Sequence, residues 1–182
     1  MRKIIEYTLV SADGICADPS TVRWFLEYRD EAYLRDGLGQ LLACDAMLMG
    51  RTTYEEFAQL YPGRADPWAD RVNAMPKYVF SSTLERADWN NSTIVRGDVA
   101  AEVARLKEQA GRDLLIWGHG LLGETLLKHQ LLDVLDLSIH PLLLGRGKPF
   151  LRQGQNTNLR LVAAKAFTKG IVKLTYELVP QY

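Results

Sequence analysis

From residue 3 to about residue 130, short apolar runs alternate with segments of helical spacing; beyond that point only strand patterns follow. This order constrains the fold more than any other feature. Repeated strand–helix units imply parallel strands with helices on both faces, because each crossover must pack back onto the sheet. A closing run of strands has no crossover helix and joins a sheet edge in antiparallel fashion. KIIEYTLVS (3–11) reads as the first strand, and Ala12-Asp13-Gly14 breaks it. Thr21 caps a predicted helix over about 22–42, where Trp24, Phe25, Tyr28, Leu34, Leu38, Leu41 and Leu42 recur at near-helical spacing. AMLMG (46–50) reads as a buried strand and 51–60 as a helix stopped by Tyr61-Pro62-Gly63. A short helix starts at Pro67 inside the polar loop 62–76. Strands at 77–82 and 92–97 precede a helix over 99–110, capped by Asp98 and ended by a left-handed Gly111. A strongly apolar strand (113–118), a helix (121–129), a longer strand (134–145) and a hairpin around Lys169-Gly170 complete the chain. No repeat, low-complexity tract or linker divides residues 1–182. The expectation is one α/β domain: a central mixed, mostly parallel sheet, helices on both faces and a C-terminal antiparallel hairpin.

Composition narrows the function. Hydrophobic residues make up 47% of the chain and charged residues 24%, the balance of a folded domain. Lys plus Arg equals Asp plus Glu at 22 each, which argues against a nucleic-acid grip, since that needs a basic surface to displace phosphate counterions. Cys16 and Cys44 are too few for a disulfide framework and fit no zinc spacing; two reduced thiols is the simpler reading. His119, His129 and His140 are not spaced as a compact metal site, so no metal is expected. The N-terminus lacks a signal-peptide core and no window is long and apolar enough to span a bilayer, so the expected location is the cytoplasm.

In open α/β sheets ligands gather beyond the carboxyl ends of strands, against helix N-termini. Two strand–turn–helix junctions have suitable chemistry. Gly50-Arg51-Thr52-Thr53 combines a flexible turn, unpaired helix N–H groups, two hydroxyls and a guanidinium, a set suited to a phosphate. By itself it also fits an ordinary Thr-capped helix carrying a surface Arg. Trp117-Gly118-His119-Gly120-Leu121 admits close approach of a pyrophosphate, though Gly123 falls at the wrong interval for a Rossmann fingerprint and a tight turn remains open. His119 stands out among the histidines because it lies between the two glycines. Asp13 either orients a substrate or, with a raised pKa, assists proton transfer; Asp13-Gly14 equally makes a plain turn. Trp24 and Phe25 fit a substrate-pocket wall or ordinary core.

Taken in order, SADG (11–14), MGRTTYE (49–55), KYVFSSTL (77–84), IWGHGLLGETLL (116–127) and IHPLLLGRGKPF (139–150) resemble the dihydrofolate reductase-like superfamily. They are most similar to its branch related to the C-terminal reductase domain of the bifunctional riboflavin-biosynthesis enzyme. The resemblance implies NADPH lying across the strand ends. Arg51, Thr52 and Thr53 would then hold phosphate groups, with Arg51 near the 2′-phosphate. Gly50 turns the chain into that helix, Ser81 and Ser82 flank the adenosine end, and Gly118, His119, Gly120, Leu121 and Leu122 lie along the pyrophosphate. The SADGI segment, with Ile15, would close near the nicotinamide, beside Trp24 and Phe25 on the substrate side. Three departures modify this expectation. Gly118-His119 replaces an adjacent glycine pair that the family often joins by a cis peptide. Leu121 stands where some members carry Arg, which shifts 2′-phosphate selectivity toward Arg51. Thr21 occupies the position of the carboxylic proton donor of true dihydrofolate reductases, three residues before Trp24-Phe25. The implied activity is hydride transfer from NADPH to a small carbonyl or heterocyclic substrate other than folate, by a homodimer. The alternatives are a nucleotide-binding or sensor protein without turnover, and a riboflavin-pathway pyrimidine reductase.

Overall fold

A computed structural model of the protein describes residues 1–17, 24–151 and 156–179. Strand β1 (Ile4–Ser11) alternates as far as Val10: Ile4, Glu6, Thr8 and Val10 are buried on one face, while Ile5, Tyr7 and Leu9 pack toward the other. A short strand missed in the sequence, β2 (Ile15–Ala17), follows the Asp13-Gly14 turn. Helix α1 (Glu31–Ala43) starts at Glu31 and not near residue 22. Its cap is Asp30, whose carboxylate accepts the Tyr33 N–H at 2.8 Å, satisfying a first-turn donor. Trp24, Phe25 and Tyr28 prolong the helical spacing but lie in turns before the helix. Trp24 and Tyr28 are gathered there around His140. The expected cap, Thr21, lies outside the described residues.

Strand β3 (Cys44–Gly50) leads directly into α2 (Arg51–Leu60), and α3 (Pro67–Ala74) starts at Pro67 as expected, with Asp66 accepting from the Trp68 and Ala69 N–H groups. Next come β4 (Lys77–Phe80), β5 (Ser92–Val95) and α4 (Val99–Glu108), the last capped by Asp98. Gly111 is not the left-handed cap anticipated. The helix ends at Glu108, and Gly111, at φ +146°, makes room for Asp45, since an added Cβ would stand 2.5 Å from Asp45 Oδ2. Asp45 in turn pairs with Arg2. After β6 (Asp113–Trp117) and α5 (Leu121–Lys128), β7 (Val134–His140) stops before Pro141, shorter than expected because proline brings no N–H to the ladder. A two-residue strand β8 (Lys148–Pro149) pairs with β2, and β9 (Asn158–Ala166) with β10 (Val172–Val179) makes the hairpin around Lys169-Gly170.

The main sheet has the order β5-β4-β3-β6-β1-β7-β10-β9. The first six of these run parallel, and the hairpin is antiparallel to β7. On one face, Leu41 of α1, Tyr54 of α2 and Val72 of α3 pack against the sheet. On the other, Val103 and Leu106 of α4 and Leu126 of α5 do so. Both cysteines are free thiols. Among the described residues, no helix is long and apolar enough to cross a membrane.

Candidate functional site

Six parallel strands bring their carboxyl ends to one edge of the sheet, and the chain order selects a position along it. From β3 the chain runs through α2 on one face toward β4; from neighbouring β6 it runs through α5 on the other face past β1 to β7. The connections leave in opposite directions, so a crevice opens between β3 and β6. Leu48 pairs with Ile116, and the two glycine junctions begin two residues further on, at Gly50 and Gly118, flanking that crevice.

The caps separate these helices from the rest. Asp30, Asp66 and Asp98 close the N-termini of α1, α3 and α4 with side-chain hydrogen bonds. Helices α2 and α5 start from Gly50 and Gly120, both extended, with no side-chain cap. Their first N–H groups therefore have no side-chain cap, although Glu124 lies in the first turn of α5.

At the β3–α2 end, Arg51 gives Nε–H to Glu55 (2.7 Å) and an Nη1 hydrogen to Thr83 Oγ1 (2.9 Å), reaching the turn after β4. Within that turn Ser81 Oγ accepts the N–H groups of Thr83 and Leu84, and Ser82 is exposed. A second guanidinium converges there: Arg96 donates to the carbonyls of Ser82 (3.0 Å) and Leu84 (2.7 Å). Arg96 was not anticipated, although VRG at the end of a predicted strand placed a cation at a carboxyl end. Thr52 is exposed and Thr53 half-buried in the first turn of α2.

The β6–α5 end is built differently. Gly118 sits at φ +78°, donates to the Tyr7 carbonyl, and is followed by a trans peptide, as there are no cis bonds among the described residues. The His119 side chain turns inward, where Nδ1 meets Glu6 Oε1 of β1 at 2.7 Å, both side chains wholly buried. Glu6 Oε1 also accepts from Thr8 Oγ1 (3.0 Å). Leu121 points to solvent, whereas Leu122 packs on the core. Glu6 was missed, although a lone carboxylate on an otherwise apolar strand face was a legible signal.

Beyond β1, Asp13 clamps two loops. Its carboxylate accepts from Ser11 Oγ (2.5 Å), Gly145 N (2.7 Å) and Leu144 N (3.1 Å). These bonds hold its pKa down at about 2, opposite to the raised value considered for proton transfer, because each donor favours the anion. Ile15 lies in the β2–β8 ribbon opposite Pro149, and Phe150 N–H bonds the Gly14 carbonyl at 2.9 Å. Trp24 contacts Phe25 edge-on at 5.8 Å and His140 at 5.0 Å. Tyr7, Tyr33 and Ser138 link their hydroxyls close to that cluster.

The sequence profile of the RibD C-terminal domain matches residues 2–173. The uncharacterized protein YyaP of Bacillus subtilis (strain 168) is 32% identical over 182 residues, spanning 96% of this chain and 94% of its own. A putative riboflavin biosynthesis protein from Shewanella sp. PV-4 superposes with a TM-score of 0.80 at 20% identity, covering 99% and 100% of the two chains. A Thermotoga maritima diaminohydroxyphosphoribosylaminopyrimidine deaminase/5-amino-6-(5-phosphoribosylamino)uracil reductase superposes with a TM-score of 0.69 at 15% identity, over 98% of this chain and 57% of that one. A family match across nearly the whole sequence agrees with the strand order and the paired glycine junctions, and the chain belongs to the RibD C-terminal domain family, with its dihydrofolate reductase-like reductase fold.

Proposed function

We propose that this chain is an NADPH-dependent reductase acting on a small carbonyl or heterocyclic substrate. The observation that carries this reading is the pair of uncapped, glycine-led helix starts across the β3–β6 crevice, against three Asp-capped helices elsewhere. A diphosphate is the ligand that two such helix ends suit. Gly50, Thr52 and Thr53 on one side and Gly118, His119, Gly120, Leu121 and Leu122 on the other would hold it. Arg51 and Arg96, joined by Ser81 and Ser82, suit the extra 2′-phosphate that separates NADPH from NADH. When bound, NADPH supplies a hydride. The protein's part is to orient the substrate near the Ser11–Ile15 segment, Trp24 and Phe25, and to exclude water. Asp13, ionised by its three donors, would act by fixing the Leu144–Gly145 loop beside that segment.

The edge strand β9 is exposed along its whole length, with Leu161 and Val162 each 53% exposed, which supports a homodimer formed over this hairpin. Light scattering should then read twice the mass of one chain, and Leu161→Lys should return it to one.

The test of the cofactor reading is a fluorescence titration with NADPH and NADH, following the four tryptophans. Saturable binding that favours NADPH is expected; binding of neither nucleotide ends the reductase reading. A second reading, nucleotide binding without turnover, draws on the ionised Asp13. Saturable NADPH binding with no oxidation by any carbonyl or heterocyclic acceptor would favour it.

A further inference from the structure

Most guanidinium groups near the surface of this molecule have polar partners. Arg35, Arg86, Arg105 and Arg160 each reach a carboxylate, and Arg96 reaches backbone carbonyls. Arg29 differs. It is half-buried in the segment leading into α1, yet its side chain makes no hydrogen bond or ion pair among the described residues. Its guanidinium carbon lies instead over the Phe25 ring, 5.4 Å from the centroid. That contact uses the flat face of the guanidinium and leaves the N–H donors along its edge unengaged.

The position of Arg29 ties it to the strand ends. On one side Phe25 meets Trp24 edge-on, and Trp24 meets His140, the last residue of β7, at 5.0 Å. On the other side stands half-buried Trp117, which ends β6 just before the Gly118 turn. It contacts Phe57 of α2 at 5.6 Å, and Phe57 contacts Tyr61 at the end of that helix at 5.3 Å. The Arg29 charge is felt on both sides. Burial lowers the His140 pKa and Arg29 adds to that shift; burial lifts the Tyr61 phenol to about 12, against the pull of Arg64 and Arg29. Arg29 therefore stands between the end of β7 and the end of α2, and the strand between β6 and β7 is β1. This is the aromatic side of the strand ends, beside the segment assigned above to the substrate.

We propose that Arg29 is an anion-binding residue of the substrate site and that the substrate is a planar aromatic or heteroaromatic carboxylate; this rests on the reductase reading above. The ligand's carboxylate takes paired N–H···O bonds from the guanidinium fork, and its ring packs among the aromatic side chains on either side. A carboxylate suits the place better than a phosphate. The cations around Arg29 are engaged: Arg64 lies over Tyr61 but gives two bonds to Asp66 (3.0 and 2.7 Å), and Lys169 reaches the Glu27 carbonyl. The N-terminus of α1 is closed by Asp30, whose own carboxylate stands next in the chain. One unengaged guanidinium beside a capped helix matches a single negative charge. A phosphate dianion calls for further donors, such as the uncapped helix starts at Gly50 and Gly120.

NMR titration of the 15N-labelled full chain, with and without NADPH, tests this with benzoate, benzamide and phenyl phosphate as probes. Arg29→Gln and Trp24→Phe assign the Arg29 Nε–H and Trp24 indole signals. Benzoate should shift both saturably and bind at least about 10-fold more tightly than benzamide. Arg29→Gln should remove that margin, and Arg29→Lys, which keeps the charge without the fork, should recover part of it. Because Arg29 has no polar partner, neither variant strands a buried group. A cation present only to stack on Phe25 would leave benzoate and benzamide alike; that result, or a margin that survives Arg29→Gln, overturns the proposal. Phenyl phosphate binding more tightly than benzoate through Arg29 overturns it too, in favour of a phosphate ester. Failure of NADPH to bind, with benzoate still held through Arg29, supports the carboxylate site and sinks the reductase reading alone.

Discussion

The two glycine-led junctions use the same backbone device in opposite surroundings. At β3–α2 the chemistry is on the surface: the Arg51 side chain is 49% exposed and leans on Glu55 and Thr83. At β6–α5 it is in the core, with His119 and Glu6 enclosed between the sheet, α5 and Phe150. An exposed cation can be drawn to a phosphate at little structural cost, because water screens it when the ligand is absent. A buried pair cannot relax in that way, so its geometry is set before any ligand arrives. One junction is therefore suited to selecting by charge and the other to holding a fixed geometry.

The sharpest way to break this contrast is to remove half of the buried pair. Glu6→Leu or His119→Phe should each lower stability by about 3–5 kcal/mol, as expected when one partner of a buried pair is stranded. The double variant should lose less than the sum. Urea unfolding reads all three, and losses below about 1 kcal/mol would make the two junctions alike. Arg51→Ala should do the converse. NADPH affinity should fall by about 1.5–3 kcal/mol, roughly 10- to 150-fold, with little change for NADH and a stability shift within about 0.5 kcal/mol. An equal loss for both nucleotides would place Arg51 away from the 2′-phosphate.

Gly123→Ala sharpens the comparison without touching either polar partner. The methyl must displace Glu6 or His119, and overpacking of this kind costs about 1–3 kcal/mol. An unchanged unfolding midpoint would mean the pair has room to move. The smallest effect belongs to Asp13. Its folded pKa, about 2, lies below the ordinary 3.8, so its clamp is complete above the ordinary value and lost as pH falls through about 2. Hydrogen exchange at the Leu144 and Gly145 amides should show protection fading across that window, and Asp13→Asn should weaken it at pH values above the window. Protection that persists below the window would mean that other contacts hold the loop.

Much of the fold was legible because its signals are local. Pro67, Asp98 and the glycines at 50 and 120 announced four helix starts through bonds made, or left unmade, within a few residues. Thr21 misled because the helical period ran on through Trp24, Phe25 and Tyr28, while Asp30 provides the actual cap and the contacts around His140 hold Trp24 and Tyr28 elsewhere. The candidate cofactor residues were readable as two glycine turns with adjacent Arg and hydroxyls, and the family resemblance joined them.

What the sequence determined by itself was the alternation of strands and helices, the closing hairpin and the Asp98 cap of α4. Hydrogen-bond periodicity and capping act over at most a turn or two of chain. Only the tertiary structure decided the strand order that opens the β3–β6 crevice, the convergence of Arg51 and Arg96 on one turn, and the direction of His119. Glu6 and His119 are 113 residues apart, and no local rule links a carboxylate in the first strand to an imidazole after the sixth. Parallel pairing of β1 with β6 brings those segments side by side, and the missing side chain at Gly123 leaves the space in which they meet.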